Sequence, residues 1–354
     1  ATGGTARLEV TGAGGNIDLG FIALESDATG GDGAAGYYFS GSGGNGGSGG
    51  DASAGISELV ARTGGTINIT SSSLSLTSTG IGGAGGAGGD SYGTTAGAGG
   101  NGGNAIGGDV RLLAQGGTIS GNDIDITTAG LGGDGGASGI EFPGGYYSTE
   151  GLGGTGTGGT AIIEVQEGSP GIITLGNINA YANGYGGSSG NYLTPAATFG
   201  GRIEITDTSI DPAGLITLAS LNAQAVGDGA VSGSGFFATG NSGPIAILGN
   251  LVVDVAGNIE YDFDGDAQIT VGSNASLISG QDILINHSNN IIPVNSIDVS
   301  AVFAATAQGD FISTAGSRIN AAGTATVRTG QNATVADIAG VGLVDISAMW
   351  DANV

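Results

Sequence analysis

Read for chemistry, the sequence offers one acidic run, one histidine and several clusters of aromatic side chains. Glu260-Tyr261-Asp262-Phe263-Asp264-Gly265-Asp266 is the densest group of carboxylates. Alternating carboxylates supply the oxygens that Ca²⁺ prefers, so Asp262, Asp264 and Asp266 are the candidate ligands for that ion. The glycine spacing does not fit an EF-hand loop, and no Glu closes the pattern. A solvated acidic turn explains the same residues without an ion. His287 is the only histidine, so a site built from several imidazoles is ruled out. There is no Cys, which excludes disulfides and Cys-ligated metals. No serine stands in a clear pairing with His287, and nucleophilic catalysis has no support. Carboxylates at many outward strand positions would suit glycoside hydrolysis, which needs two of them. A lyase also wants a basic residue. Lys is absent, and Arg7, Arg62, Arg111 and Arg202 read as ion-pair partners for Glu9, Glu58 and Glu204. The chain therefore reads as a non-enzyme with no cofactor beyond that one Ca²⁺ candidate.

The charge balance restricts partners. Asp+Glu number 31 against 6 Arg, a net charge of −25. Such a surface repels phosphate backbones and anionic lipid, so neither nucleic acid nor a membrane surface is expected as partner. No apolar run approaches the roughly 18 residues that span a bilayer. No charged-then-apolar leader opens the sequence, so it reads as a mature or internal piece.

The elements that must position any site come as short runs with period-two alternation. They fall in groups of three. The first is Thr5 to Val10, Asn16 to Leu19 and Phe21 to Glu25. Later groups open at Glu58, Asp109, Ala161 and Arg202. Three short strands per repeat predict one coil of a β-solenoid, since a single coil cannot bury its own apolar row. After Ile245 the strands continue with almost no glycine-rich inserts. Gly107-Gly108-Asp109-Val110-Arg111-Leu112 and Ile278-Ser279-Gly280-Gln281-Asp282-Ile283-Leu284-Ile285 resemble the repeats of filamentous haemagglutinin-like exoproteins. That resemblance implies a two-partner-secretion adhesin, a right-handed parallel β-helix and an extracellular, bacterial cell-surface location. The expected fold class is all-β. Residues 1–243 are expected to carry coils with inserts at about 30–56, 80–108, 129–160, 183–201 and 227–243. Residues 244–354 are expected to continue the same stack without them.

The inserts share an order: a run of Gly-Gly-X triplets, an aromatic middle, and a second glycine run. Their tips hold Tyr37, Tyr38 and Phe39, then Tyr92, then Tyr146 and Tyr147, then Tyr192, then Phe236 and Phe237. Period three matches an extended helix of three residues per turn, the glycine analogue of polyproline II. Such a helix has no internal hydrogen bonds, so its backbone groups need neighbours or water. Each insert is read as a pair of these helices with an aromatic tip, stacked on the next. Flexible Gly/Ser linkers are the competing reading. The expected function is structural, an extracellular fibre or adhesin stalk. The alternative is a carbohydrate- or ice-binding module using the stacked loops. The partner is the chain itself, end to end or laterally, with surface polysaccharide as a second candidate. Either the chain is a segment of a longer exoprotein or its copies stack end to end, and in the second case Met349 and Trp350 are the expected subunit junction.

Overall fold

The apolar alternation becomes a stack of parallel strands in a computed structural model of the chain. Residues 1–38, 41–166, 171–190, 196–209, 214–227, 229–240, 244–264, 267–287, 294–340 and 342–353 are described. Among them every regular element is a strand.

Two large sheets carry the stack. One contains Thr5–Val10, Ile56–Arg62, Asp109–Gln115, Thr160–Val165, Thr198–Asp207, Gly229–Gly240 and Asn258–Phe263, each parallel to the next. It continues through Ile283–His287, Phe311–Ser313, Asn332–Thr334 and Asp351–Asn353. The second sheet takes the next stretch of each coil, such as Thr66–Thr77, Thr118–Thr127, Ile172–Tyr181 and Leu215–Ala225. There the second and third predicted strands fuse into one long strand. The join in Thr118–Thr127 carries a register shift between Gly121 and Asp123. From Pro244 onward the two strands separate again, as in Pro244–Ile247 and Leu251–Val255.

Register follows like on like. Ile17 pairs with Ile67, Ile67 with Ile119, Ile119 with Ile173 and Ile173 with Ile216. The same column runs on through Ile245, Ile269, Ile297, Ile319 and Ile338. A one-residue slip would turn the whole row outward, so burial fixes the register. Most of this column, from Ile67 to Ile319, is fully buried in one continuous core. Polar columns stack outside it. Asn179 Nδ2 donates to Asp125 at 2.9 Å, Asn286 Nδ2 to Asp262 at 3.0 Å and Asn320 Nδ2 to Asp298 at 3.0 Å. The arginines pair as expected. Arg7 bridges Glu9 at 2.7 Å and Glu58 on the next coil at 3.2 Å, and Arg202 meets Glu204. Arg111 departs from the expectation, pairing with Asp109 at 3.1 Å.

Two expectations fail here. The region expected as an insert at 227–243 is not one over its described residues 229–240. Gly229–Gly240 is a full strand of the first sheet, paired to Thr198–Asp207 and to Asn258–Phe263. Its glycines serve the strand itself: Gly235 has a φ of +131° and sits beside the register shift at Gly200/Arg202. Consequently Phe236 is no loop tip. It is fully buried between Ile203 and Ile259 in the ladder. Phe237 points the other way and lies under the Arg202 guanidinium, 3.7 Å from carbon to ring centroid.

Ile119→Ala should destabilise the protein by about 2–5 kcal/mol, because it opens a cavity in the packed column. Ile172→Ala, two-fifths exposed on the neighbouring coil, should stay within about 0.5 kcal/mol. Denaturant melts of both variants measure the difference.

Candidate functional site: the glycine layer and its aromatic rim

The inserts of the first four coils form a second layer against the stack. In it, backbone hydrogen bonds recur every third residue. Gly30, Gly33 and Gly36 donate to the carbonyls of Ile81, Ala84 and Ala87, all at 2.7–2.8 Å. Gly82, Gly85 and Gly88 donate in turn to Leu131, Asp134 and Ala137. Those bonds join each outgoing arm to the outgoing arm one coil on. Returning arms bond the same way: Gly46 to Ala98, Gly49 to Asn101 and Gly102 to Leu152. A second set ties returning to outgoing arms, as in Gly47 to Ala34, Gly100 to Gly86 and Gly86 to Gly47.

The third N–H of the triplet is met by a side chain. Ala84 N–H donates to Asp32 Oδ1 at 2.9 Å, Leu152 N–H to Asn101 Oδ1 at 3.0 Å and Ser188 N–H to Asp134 Oδ1 at 2.8 Å. Asn45, Asp90 and Asn104 accept likewise from Ala98, Ile140 and Thr155. In Gly82-Gly83-Ala84 all three backbone donors are therefore satisfied. These acceptors escaped the sequence reading, although a signal exists. Each is the third member of a Gly-Gly-Asx triplet.

Close packing explains why glycine recurs. A Cβ on Gly86 would lie 2.0 Å from the Ala34 carbonyl oxygen, and one on Gly85 would lie 1.9 Å from that of Gly100. Interior arms thus require glycine at two positions of three. The first outgoing arm has neighbours on one side only. There Gly30, Gly33 and Gly36 are crowded, while nothing lies within 4 Å of a Cβ on Gly31. The matching positions one and two triplets on are Ala34 and Tyr37.

At the rim the aromatic side chains meet. Ile140–Phe142 pairs antiparallel with Tyr146–Tyr147 and parallel with Ser91–Tyr92. Tyr38 contacts Tyr92 edge-on with centroids 5.8 Å apart. Tyr92 stacks on Phe142 at 5.4 Å and 25°. The rings remain open: Tyr37 is 78% exposed, Tyr92 57% and Tyr146 71%. A shallow cavity of about 130 Å³ lies beside them, lined by Thr95, Ala96, Glu141, Tyr146, Tyr147 and Ser148. Glu141, Thr95, Ala96 and Ser148 were not singled out from the sequence. Phe39 and Tyr192 fall outside the described residues.

The other candidates are dispersed. Glu260 to Phe263 lie in the strand Asn258–Phe263, with Tyr261 and Phe263 pointing inward and Asp262 outward, and Asp264 follows it exposed. Asp266 lies outside the described residues. No group of three or more His, Cys, Asp or Glu side chains that could hold a metal is present among the described residues. Burial pushes the Tyr261 phenol up, out of its ordinary range, because the ionised form would lose its hydration. His287 is buried and, against expectation, does face a serine: its Nδ1 lies 3.1 Å from the buried Ser296 Oγ. Met349 and Trp350 are each 78% exposed on the last turn.

Compared with known proteins, the chain matches no protein-family model, no curated protein and no solved structure.

The glycine spacing yields a paired test. Gly86→Ala should cost about 1–3 kcal/mol, since backbone cannot yield around the added methyl. Gly31→Ala should be neutral within about 0.5 kcal/mol. Thermal melts of the two variants compare an interior arm with the edge arm at the same chemical change.

Proposed function

We propose that this chain is a non-catalytic structural element of an extracellular fibre or adhesin stalk. Its strands wind as a right-handed parallel β-helix, and its glycine arms are polyglycine-II-like helices. The resemblance to filamentous haemagglutinin-like exoproteins belongs to this reading, as does a bacterial cell-surface location. The observation that carries it is the unbroken ladder. Every coil is hydrogen-bonded to the next along both sheets, and four coils are bonded again through the glycine layer. A body bonded in series along one axis resists extension along it. Right-handed winding is supported by the strong rule for parallel strand crossovers. Donors aligned every third residue support three residues per turn in the arms.

Self-association is the second part of the reading. The first coil leaves Leu8, Ile17, Ile22 and Leu24 only partly covered and Phe21 exposed. The last coil exposes Leu343, Met349 and Trp350. Contact between unlike surfaces propagates without closing, which makes filaments. Electron microscopy of the purified chain at rising concentration should show filaments, and Trp350→Asp should shorten or abolish them. Particles that stay monomeric at every concentration, or filaments unaffected by the substitution, would remove the junction. Surface fractionation of producing cells tests the location separately, and retention in the cytosol would contradict the stalk.

A further inference from the structure

We infer that the aromatic rim of the glycine layer is a binding surface for an uncharged linear polysaccharide. A fibre needs no such surface to hold together. The glycine arms are held by backbone hydrogen bonds and Asx acceptors, and the rings stand beyond them. Large exposed rings gathered at one edge are the unusual feature, since an isolated exposed apolar residue is ordinary.

The composition of the rim selects the ligand. Tyr38, Tyr92 and Phe142 come from three successive inserts and form one column with centroid steps of 5.8 and 5.4 Å. Tyr37, Tyr146 and Tyr147 flank it, each more than half exposed. A column with one ring per coil suits a polymer that presents a repeated apolar face. A pyranose ring offers such a face through its C–H bonds, and its hydroxyl edge seeks acceptors and donors. Glu141, Thr95 and Ser148 supply these groups in the cavity next to Tyr146 and Tyr147. Aromatic side chains with few, placed polar groups are the usual composition of small-molecule and sugar clefts.

Charge excludes the anionic glycans. All six cations are Arg7, Arg62, Arg111, Arg202, Arg318 and Arg328, so none lies on an insert. Glu141 and Asp90 sit at the rim itself. Sulfated or uronate polymers would meet like charge there with no compensating cation. A neutral chain meets no such penalty.

A polymer-depletion assay on the purified chain tests this. The probes are amorphous cellulose, chitin, insoluble starch and β-1,3-glucan, with alginate and heparin as anionic controls and polylysine as the cationic control. Binding to at least one neutral polymer is expected, without binding to alginate or heparin. Tyr92→Ala should weaken it about tenfold, as loss of a central aromatic contact does. A Tyr146→Ala/Tyr147→Ala double variant should do the same. The three rings removed are exposed, so circular dichroism and melting should be unchanged in both variants. Three outcomes overturn the inference: no binding to any neutral polymer, binding undiminished in both variants, or binding to polylysine alone. Self-association lost in the tip variants, without glycan binding, would assign the rim to a second copy of the chain instead. Glycan binding or its loss leaves the Trp350→Asp filament test and the location test unchanged, so the stalk reading stands or falls apart from this one.

Discussion

An extended glycine segment cannot satisfy its own backbone. With no hydrogen bonds inside the segment, every N–H and C=O must find a partner outside it. The rest of this structure answers that requirement. Successive strands in a sheet lie about 4.8 Å apart, and each coil launches its insert from the same place. The β-stack therefore delivers a new glycine arm at hydrogen-bonding distance from the last. Isoleucine on isoleucine holds the coils in register. That register puts Gly33 opposite the Ala84 carbonyl and Gly85 opposite that of Asp134. The core and the glycine layer are one construction with a shared step.

Close approach then decides composition. Where an arm has neighbours all round, two of every three residues have no room for a Cβ, and only the outward position is free to vary. The outward residue is often Asp or Asn, and it caps the one N–H that the neighbouring arm leaves open. Part of the acidic excess is thus structural. The carboxylates are backbone acceptors spread along the layer, and the same is true of the Asp and Asn columns beside the strands. A surface assembled this way carries a strong net negative charge, which narrows the partners it can approach.

The strands were legible because β-branched alternation is a local signal, and the first four inserts were legible because triplets of glycine cannot continue a strand. The segment 227–243 misled because its glycine content outweighed its alternation. Phe236, Ala238 and Gly240 fall on the inward positions occupied one coil earlier by Ile203, Ile205 and Asp207. Period two was present there from Gly235 onward, after the register shift between Ala230 and Gly235. The acidic run misled in a related way. Glu260-Tyr261-Asp262-Phe263-Asp264 also alternates, so its carboxylates share an outer face and its rings the core. Contacts between the aromatic tips could not be read, because Tyr38, Tyr92 and Phe142 are far apart in sequence and meet only through coil stacking. The glycine code itself was readable in principle. Ala34 and Tyr37 replace glycine at positions of the first arm where later arms keep Gly86 and Gly89, and this marks an edge.

Residue-resolved hydrogen exchange of the glycine amides tests the central claim most directly. Gly83, Gly86, Gly100 and Gly133 donate to neighbouring arms at 2.8–2.9 Å. Their amides should exchange far more slowly than an unstructured chain allows, with protection approaching that of the strand Thr118–Thr127. Exchange of these four amides at free-chain rates, while the strand stays protected, would show that the layer is not bonded in solution and would contradict the account.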